Sequence, residues 1–245
     1  MNFFHWIHKS GRVSRLWSGM ADVHTHLLPG VDDGFPTAEA SLEALRRLAA
    51  MGVSSVCLTP HVMAERPENT AEHLRAAFEA FRPHAEETGI HLRLGAEYML
   101  DEAFHTHRHD AGGLLVLGGR HLLIETSPLA PAEGLRETTY ELMLDGYRPI
   151  LAHPERYAWL DLSGCQRIKA HGCQLQLNLF SLAGAYGQQA ARMATLYLKE
   201  GLYDFTGSDI HELSAYERSL THLAPSAAQT HELTRLIANN HTLLG

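Results

Sequence analysis

The sequence is poor in cysteine, in long apolar runs and in positive charge, and each shortage argues against a class of protein. Its 245 residues include three cysteines, Cys57, Cys165 and Cys173, with no C-x-x-C pair, which argues against a disulfide framework and predicts a cytoplasmic protein. No apolar run approaches the roughly 18 residues of a membrane-spanning helix, which excludes an integral membrane protein. Lys and Arg number 20 against 28 Asp and Glu, a formal net charge of -8, which disfavours a nucleic-acid binder.

Two common hydrolase mechanisms also lack their motifs. A cysteine phosphatase needs a Cys-x5-Arg loop, but the positions where that Arg would stand are Met63, His171 and Leu179. The sequence has no G-x-S-x-G motif of the kind that presents a nucleophilic serine. Nucleophilic catalysis by cysteine or serine is therefore not predicted.

The sequence does contain a regular alternation of short β-rich runs and longer helical patterns, which is typical of βα units around a parallel sheet. Strands are predicted at 22–26, 56–61, 92–97, 121–125, 149–153, 175–178 and 203–211. Helices are predicted near 37–51, 68–87, 131–145, 163–171, 187–200, 212–223 and 226–239, with a weaker one near 101–109. No linker or repeat interrupts residues 21–245, which are predicted to form one domain.

Residues 1–20 differ from the rest of the chain because they mix aromatic and basic side chains and contain no acid. This extension predicts a short amphipathic helix, and its apolar run is too short for the core of a signal peptide. Two interpretations stay open: the helix packs on its own domain, or it makes a peripheral contact with a membrane or a partner. The sequence also leaves the formation of an oligomer open.

Six of the seven predicted strands finish on side chains that can bind a metal ion. They are His24 and His26, His61, Glu97, Glu125, His153, and Asp209 with His211. The loops after parallel strands share one rim, so these side chains are expected to converge. Each has an alternative interpretation on its own, as a surface histidine, a buried acid paired with arginine or a helix cap. Together they favour a metal centre, and mixed histidine and carboxylate ligands suit Mn, Fe or Zn.

The order of these motifs resembles the PHP (polymerase and histidinol phosphatase) superfamily. The matching segments are Asp22-Val23-His24-Thr25-His26, Pro29-Gly30-Val31-Asp32-Asp33-Gly34, Thr59-Pro60-His61, Gly95-Ala96-Glu97, Leu123-Ile124-Glu125, His153-Pro154-Glu155-Arg156-Tyr157 and Gly207-Ser208-Asp209-Ile210-His211. Within the superfamily, the chain is similar over about residues 21–220 to the manganese-dependent bacterial protein-tyrosine phosphatases of capsule and exopolysaccharide operons. The resemblance implies a distorted seven-stranded (β/α)7 barrel that holds three divalent ions at the C-terminal rim of its strands. Mn2+ is the ion that it favours.

The resemblance also implies a role for each residue of the site. It places one ion on His24, His26, Glu97 and Asp209, a second on Glu97, Glu125 and His153, and a third on Asp33, His61 and His211. It implies three catalytic residues, Arg156, His211 and Arg218, with Arg156 gripping the phosphate. Relatives carry a second phosphate-binding arginine where this chain has Tyr216, so two alternatives stay open there: Arg218 replaces that arginine, or Tyr216 stacks on the ring of the substrate.

These implications predict a metal-dependent phosphatase that hydrolyses phosphotyrosine on a bacterial tyrosine kinase of capsular or exopolysaccharide synthesis or export. In many PHP relatives the positions of Asp33 and Glu125 are histidine, so the carboxylates here favour the tyrosine-phosphatase branch over histidinol phosphatase. Two alternatives stay open. One is a PHP phosphatase for a small phosphomonoester such as histidinol phosphate or a sugar phosphate, and the other is a non-catalytic, metal-stabilised module that binds the kinase.

Overall fold

The computed structural model describes residues 13–110 and 112–244, and within them it contains nine α-helices and nine β-strands. The strands are β1 (Ala21–Thr25), β2 (Ser55–Leu58), β3 (His61–Val62), β4 (His91–Leu94), β5 (Glu97–Met99), β6 (His121–Glu125), β7 (Arg148–Ala152), β8 (Gln174–Asn178) and β9 (Phe205–Gly207). The helices are α1 (Val13–Trp17), α2 (Ala38–Met51), α3 (Ala71–Ala85), α4 (Phe104–His109), α5 (Leu135–Leu144), α6 (Leu162–Ala170), α7 (Gly187–Lys199), α8 (Leu213–His222) and α9 (Ala227–Leu244). Short 3-10 turns lie at Glu86–Thr88, Pro154–Arg156 and Leu179–Ala183.

The sheet pairing is parallel throughout the described strands, which confirms the predicted α/β class. One sheet has the order β1-β2-β4, and the other has the order β3-β5-β6-β7-β8-β9. Helices separate most of the successive strands, as parallel pairing requires. The carboxyl ends of the strands therefore share one rim.

The strands predicted at 56–61 and 92–97 are each divided into two short strands, β2 with β3 and β4 with β5. The first break falls at Pro60, which has no backbone N–H to give to the ladder. The amide of Glu97 still donates to the carbonyl of Pro60 at 3.1 Å, so the two chain segments stay side by side across the break. This hydrogen bond continues the pairing of β3 with β5 up to the break.

The first and last strands also meet. Thr25 at the end of β1 forms an isolated parallel bridge with Ile210, beyond the end of β9. The amide of His26 donates to the carbonyl of Ile210 at 3.0 Å, and the amide of Asp209 donates to the carbonyl of His24 at 2.8 Å. This contact brings residues from opposite ends of the chain to the same place on the rim.

Helix α2 illustrates how local sequence sets the elements around the sheets. The Thr37 side chain caps its first turn by accepting from the amide of Ala40 at 3.3 Å, and Gly52 ends it in the left-handed conformation with φ 101°. One face of the helix is buried, and it carries Ser41, Ala44, Leu45, Leu48 and Met51. This three- and four-residue spacing is the pattern by which a helix covers a sheet.

The N-terminal extension is described from Val13 onward. Leu16, Trp17 and Met20 are buried, and the Trp17 indole donates to the Tyr216 hydroxyl at 2.6 Å. This part of the extension packs on the domain that follows it, while residues 1–12 lie outside the described residues. Among the described helices, none has the length and apolarity needed to span a bilayer.

Candidate metal centre

The predicted ligands lie on or beside the carboxyl ends of six chain segments. His24 lies in β1, with His26 one residue beyond it, and Glu125 ends β6. His153 follows β7, and Asp209 follows β9. His61 and Glu97 differ from the expectation that each ends a strand: because the two predicted strands are divided, they are the first residues of β3 and β5.

Two of these positions have an unusual backbone. His153 has φ 32° and Asp209 has φ 54°, and within residues 13–110 and 112–244 they are the only non-glycine residues with positive φ. An L-residue in this region is strained, and such strain persists where the surroundings hold it in place. Both strained residues are therefore predicted ligands at the carboxyl ends of the strands.

Two glycines let the loops approach the histidines closely. A Cβ atom on Gly207 would lie 2.5 Å from the His24 Cβ, and one on Gly34 would lie 2.1 Å from the His26 carbonyl oxygen. Both distances are far inside van der Waals contact, so a side chain at either position would push the strand carrying the histidines away. The glycines in Asp33-Gly34 and Gly207-Ser208-Asp209 are therefore required by packing.

The structure brings the predicted ligands together in three overlapping groups. The groups are His24, His26, Glu97 and Asp209; His61, Glu97 and Glu125; and His26, Asp33, His61 and His211. In each group the ligand atoms lie within 4.8 Å of one another. The first group has the four residues predicted for one ion. The second contains His61 where His153 was predicted, and the third contains His26 in addition to its three predicted residues.

His153 lies beside the second group rather than inside it. Its Nε2 atom is 2.9 Å from Glu97 Oε1 and 3.9 Å from Glu125 Oε2. The imidazole is buried, so its position is set by the surrounding protein. His153 Nε2 therefore lies close enough to bind an ion together with the Glu97 and Glu125 carboxylates.

Glu97 is the centre of the cluster. Its Oε2 atom is 3.0 Å from His24 Nε2, 3.3 Å from His61 Nδ1 and 3.4 Å from His26 Nε2. Its other oxygen faces His153, and the residue is fully buried. One carboxylate therefore joins the first and second groups.

The donor atoms fit a divalent ion better than they fit one another. Asp209 Oδ1 lies 3.2 Å from His26 Nε2 and 3.3 Å from His24 Nε2, yet it is buried and makes no hydrogen bond to the described residues. His61 Nδ1 and Glu125 Oε1 are 2.9 Å apart and are both left without a hydrogen bond there as well. Donors held about 2.1 Å from a shared ion are roughly 3.0–3.4 Å apart in octahedral or tetrahedral geometry. The cluster therefore fits a metal site.

The electrostatics keep the Glu97 and Asp209 carboxylates ionised. Burial alone would raise the pKa of Glu97, but the imidazoles of His24 and His153 outweigh it and hold the pKa well below its usual range. Burial alone would lower the pKa of His24, but the carboxylates of Glu97 and Asp209 outweigh burial and raise this pKa to about 9. The Glu97 carboxylate is therefore charged and can bind a cation, whereas His24 has to release its proton when it becomes a ligand.

Two outer contacts that the sequence analysis did not assign orient the first pair of histidines. Asp32 Oδ2 lies 2.7 Å from His26 Nδ1, and Gln176 Oε1 lies 3.2 Å from His24 Nδ1. Each contact leaves the Nε2 atom of the ring facing the cluster. Metal-bound histidines commonly make such a hydrogen bond through the ring nitrogen that does not bind the metal. Gln176 and Asn178 both face the site from β8, because residues two apart on a strand share a face.

The second oxygen of Asp209 is held by a separate network. Asp209 Oδ2 accepts from Arg156 Nη1 at 2.8 Å, from Asn178 Nδ2 at 3.0 Å and from the Tyr186 hydroxyl at 3.4 Å. The Arg156 guanidinium also lies over the Tyr186 ring, 4.3 Å from its centroid. Arg156 is thus held at the edge of the cluster, and Asn178 and Tyr186 are further site residues that the sequence analysis missed.

A cavity of about 540 Å³ opens over the cluster, and it is lined by Arg156, Arg218 and most of the predicted ligands. Arg218 is exposed on α8 and donates to Ser214 Oγ at 3.0 Å. Tyr216 is only 3% exposed; its hydroxyl accepts from Trp17, and its ring packs edge-on against Phe180. Tyr216 borders the cavity, but its ring is packed into the core, which disfavours the interpretation that it stacks on a substrate.

The cysteines lie away from this chemistry. Cys57, Cys165 and Cys173 are free and buried, and none of them lines the cavity over the cluster. Burial raises the pKa of each thiol to about 12. A buried, protonated thiol is a poor nucleophile, in agreement with the missing Cys-x5-Arg motif.

The parallel α/β fold and its buried histidine and carboxylate cluster define a protein with a metal site of the hydrolytic type. The chain belongs to the CpsB/CapC family of capsular polysaccharide synthesis, whose family model matches residues 20–234. Tyrosine-protein phosphatase YwqE of Bacillus subtilis is 26% identical over 198 residues, which cover 79% of this chain and 78% of YwqE. Tyrosine-protein phosphatase CpsB of Streptococcus pneumoniae is 27% identical over 208 residues, covering 80% and 84%.

The fold has a solved relative. A chain from the crystal structures of YwqE and CpsB, described as unique metal-dependent tyrosine phosphatases, aligns with a TM-score of 0.76 and 25% identity. The alignment covers 90% of this chain and 95% of that one. These matches confirm the resemblance to the capsule-type tyrosine phosphatases, and the names of the relatives agree with the function predicted from the sequence.

Proposed function

We propose that this chain is a metal-dependent tyrosine phosphatase whose substrate is a phosphotyrosine-containing protein. The observation that carries the proposal is the placement of Arg156 beside three overlapping histidine and carboxylate groups in one cavity. The relatives named as tyrosine phosphatases support the same activity. The substrate we propose is a bacterial tyrosine kinase that regulates capsular or exopolysaccharide synthesis or export.

The ligands we propose are the nine residues of the sequence analysis, with three divalent ions and Mn2+ as the first choice. His24, His26, Glu97 and Asp209 would hold the first ion, Glu97, Glu125 and His153 the second, and Asp33, His61 and His211 the third. When bound, the ions supply Lewis-acid chemistry, which lowers the pKa of water and neutralises charge on phosphoryl oxygens. His211, which the resemblance also makes a catalytic residue, would contribute as a ligand at the cavity.

The charge of the loaded site explains how an acidic protein binds a phosphate ester. Asp33, Glu97, Glu125 and Asp209 bring four negative charges, whereas three divalent ions would bring six positive ones. The site then becomes locally cationic although the chain has a net charge of -8. Arg156 adds a fixed guanidinium that can bind two phosphoryl oxygens at once.

The leaving group fits the same proposal. A free tyrosine side chain has a pKa of about 10, so its phenolate leaves more readily than the alkoxide of serine. Strong general-acid assistance is therefore not required, and the protein's task is to bind and orient the phosphoryl group. Arg156 does this from the edge of the cluster, where its contact with Asp209 fixes its position.

We also propose that the strands amount to a distorted seven-stranded barrel. Each divided pair, β2 with β3 and β4 with β5, would count as one strand, and the bridge between Thr25 and Ile210 would close the ring. Residues 21–245 would be the phosphatase domain and residues 1–20 an extension of it. A cytoplasmic location stays a prediction, which the free thiols support.

Replacing Arg156 by Ala should lower kcat/KM about ten- to a hundredfold while the metal content stays unchanged. A charge-assisted contact that is lost from the transition state is worth about 1.5–3 kcal/mol. The measurement is steady-state kinetics on a phosphotyrosine peptide, with metal content determined on the same preparation. Arg136, an exposed arginine on α5, gives a matched control as Arg136→Ala. Unchanged kinetics in the Arg156 variant would remove it from the site.

Replacing Arg218 by Ala should have a smaller effect, a rise in KM of about three- to tenfold with little change in kcat. We propose that Arg218 contacts the phosphopeptide from the cavity wall, where its exposed guanidinium gains less from a charge pair than a buried one does. Kinetics on the same peptide at two ionic strengths would check this, because a surface contact weakens with salt. An Arg218 variant with wild-type KM at low salt would show that it is only a helix residue.

The substrate class can be tested directly against its rivals. The protein would be assayed with a phosphotyrosine peptide and with histidinol phosphate, each with and without added Mn2+. We expect metal-dependent turnover that favours the phosphotyrosine peptide. Equal or better turnover of histidinol phosphate would favour the small-molecule phosphatase, and no turnover of either at full metal content would favour the non-catalytic module.

A further inference from the structure

We propose that Tyr186 is a specificity-determining residue whose ring forms an aromatic wall for the aryl group of the substrate. The inference rests on the proposed function, which places the phosphoryl group beside Arg156. It deepens that function, because it assigns the preference for aryl over alkyl phosphomonoesters to a particular side chain.

Tyr186 is exposed in an unusual place. The large apolar or aromatic side chains that are exposed in the described part of the chain are Leu129, Tyr140, Leu144 and Tyr186. Of these, only Tyr186 lines the cavity over the metal cluster, and it is 38% exposed. An aromatic ring left partly open to this cavity is available to a ligand.

The protein holds this ring in place. The Tyr186 hydroxyl accepts from Asn178 Nδ2 at 3.0 Å and lies 3.4 Å from Asp209 Oδ2. Its segment is a tight turn between Gly184 (φ 80°) and Gly187 (φ 88°), in which the amide of Ala185 donates to the carbonyl of Phe180 at 3.1 Å. Since the ring is fixed at its tip and at its backbone, little side-chain freedom is lost when a ligand packs on it.

The position of Arg156 links the ring to the reacting group. Its guanidinium carbon lies 4.3 Å from the centroid of the Tyr186 ring. A guanidinium bound to phosphate lies about 2.7–2.9 Å from its oxygens, and the leaving oxygen shares their phosphorus. The aryl ring that follows that oxygen therefore begins close to Tyr186, within reach of the roughly 4.5–7 Å centroid spacing of aromatic pairs.

The remaining wall of the cavity suits an aryl group as well. Ala185, which is exposed, lines the same cavity, and the buried side chains of Phe180 and Ile210 lie behind its wall. A sugar or an alkyl alcohol would set hydroxyl groups or a flexible chain against this surface. A flat aromatic ring would bury apolar area there without leaving a polar group unpaired.

The experiment is a calorimetric titration of the Mn2+-loaded protein with two phosphonates that cannot be hydrolysed. Phenylphosphonate carries the aryl group, whereas methylphosphonate tests the phosphoryl contacts alone. We expect the wild type to bind phenylphosphonate more tightly. In Tyr186→Ala, phenylphosphonate should weaken about three- to tenfold while methylphosphonate changes less than about twofold. Tyr186→Phe should keep the preference, and Tyr140→Ala should match the wild type.

Two results would overturn the inference. If Tyr186→Ala weakens both phosphonates equally, Tyr186 acts only by positioning Arg156; if it changes neither, the ring does not touch the ligand. Turnover of a phosphotyrosine peptide by the wild type is measured in parallel. Normal turnover with either result overturns this inference alone, whereas a wild type with no turnover and no phosphonate binding overturns the proposed function as well.

Discussion

Replacing Glu97 by Gln should remove bound metal and phosphatase activity together, with turnover falling on the order of a thousandfold or more. The two Glu97 oxygens face His24, His26, His61 and His153 at 2.9–3.4 Å, so one change affects the first and second groups of ligands. The amide keeps the shape of the side chain but loses its charge, and it puts a hydrogen-bond donor where an acceptor stood. Metal content after dialysis and turnover of a phosphotyrosine peptide are the two measurements.

Glu137→Gln provides the matched control, because Glu137 is an exposed acid on α5. It should keep both the metal and the rate of the wild type. Circular dichroism of both variants would show whether the fold survives, which separates loss of the site from loss of the domain. A folded Glu97→Gln protein with wild-type metal content and wild-type rate would falsify the central place given to Glu97.

Treatment with a strong chelator should abolish activity, and Mn2+ should restore it, whereas iodoacetamide should leave most of it intact. The imidazole and carboxylate groups of the cluster serve as metal ligands in the proposed function, so hydrolysis depends on the bound ions. Burial raises the pKa of Cys57, Cys165 and Cys173 to about 12, so few thiolates are present at neutral pH to be alkylated. Both treatments are followed by turnover of one phosphotyrosine peptide.

The three single Cys→Ser variants complete this comparison. Each should retain most of the wild-type rate at saturating Mn2+, apart from any loss of folded protein caused by a polar group in the core. The opposite pattern, in which activity resists the chelator but is lost on alkylation, would restore a cysteine mechanism.

The convergence of the proposed ligands could be predicted because most of them stand at a recognisable place in a repeating βα pattern. His24 and His26 are two residues apart at a strand end, and the structure brings both Nε2 atoms to one cluster, 3.2 Å apart. The division of two predicted strands into shorter ones was harder to predict from the sequence. Pro60 hinted at the first break, but the prediction ran the strand through it, so His61 and Glu97 were expected at strand ends rather than at the starts of β3 and β5.

Two of the outer contacts could not be predicted because they join distant parts of the chain. Gln176 meets His24 across 152 residues, and Trp17 meets Tyr216 across 199. Neither pair has a local pattern that links its members. The choice between Arg218 and Tyr216 depended on such a contact, since the hydrogen bond from Trp17 is part of what fixes Tyr216 in the core.

The most direct test of the metal centre is X-ray diffraction from crystals grown with Mn2+ and measured at the manganese absorption edge. We expect anomalous peaks within the cluster, one of them about 2.2 Å from donor atoms of His24, His26, Glu97 and Asp209, and two more beside Glu125 and Asp33. Crystals of protein that hydrolyses phosphotyrosine, yet show no anomalous peak among these residues, would contradict the account.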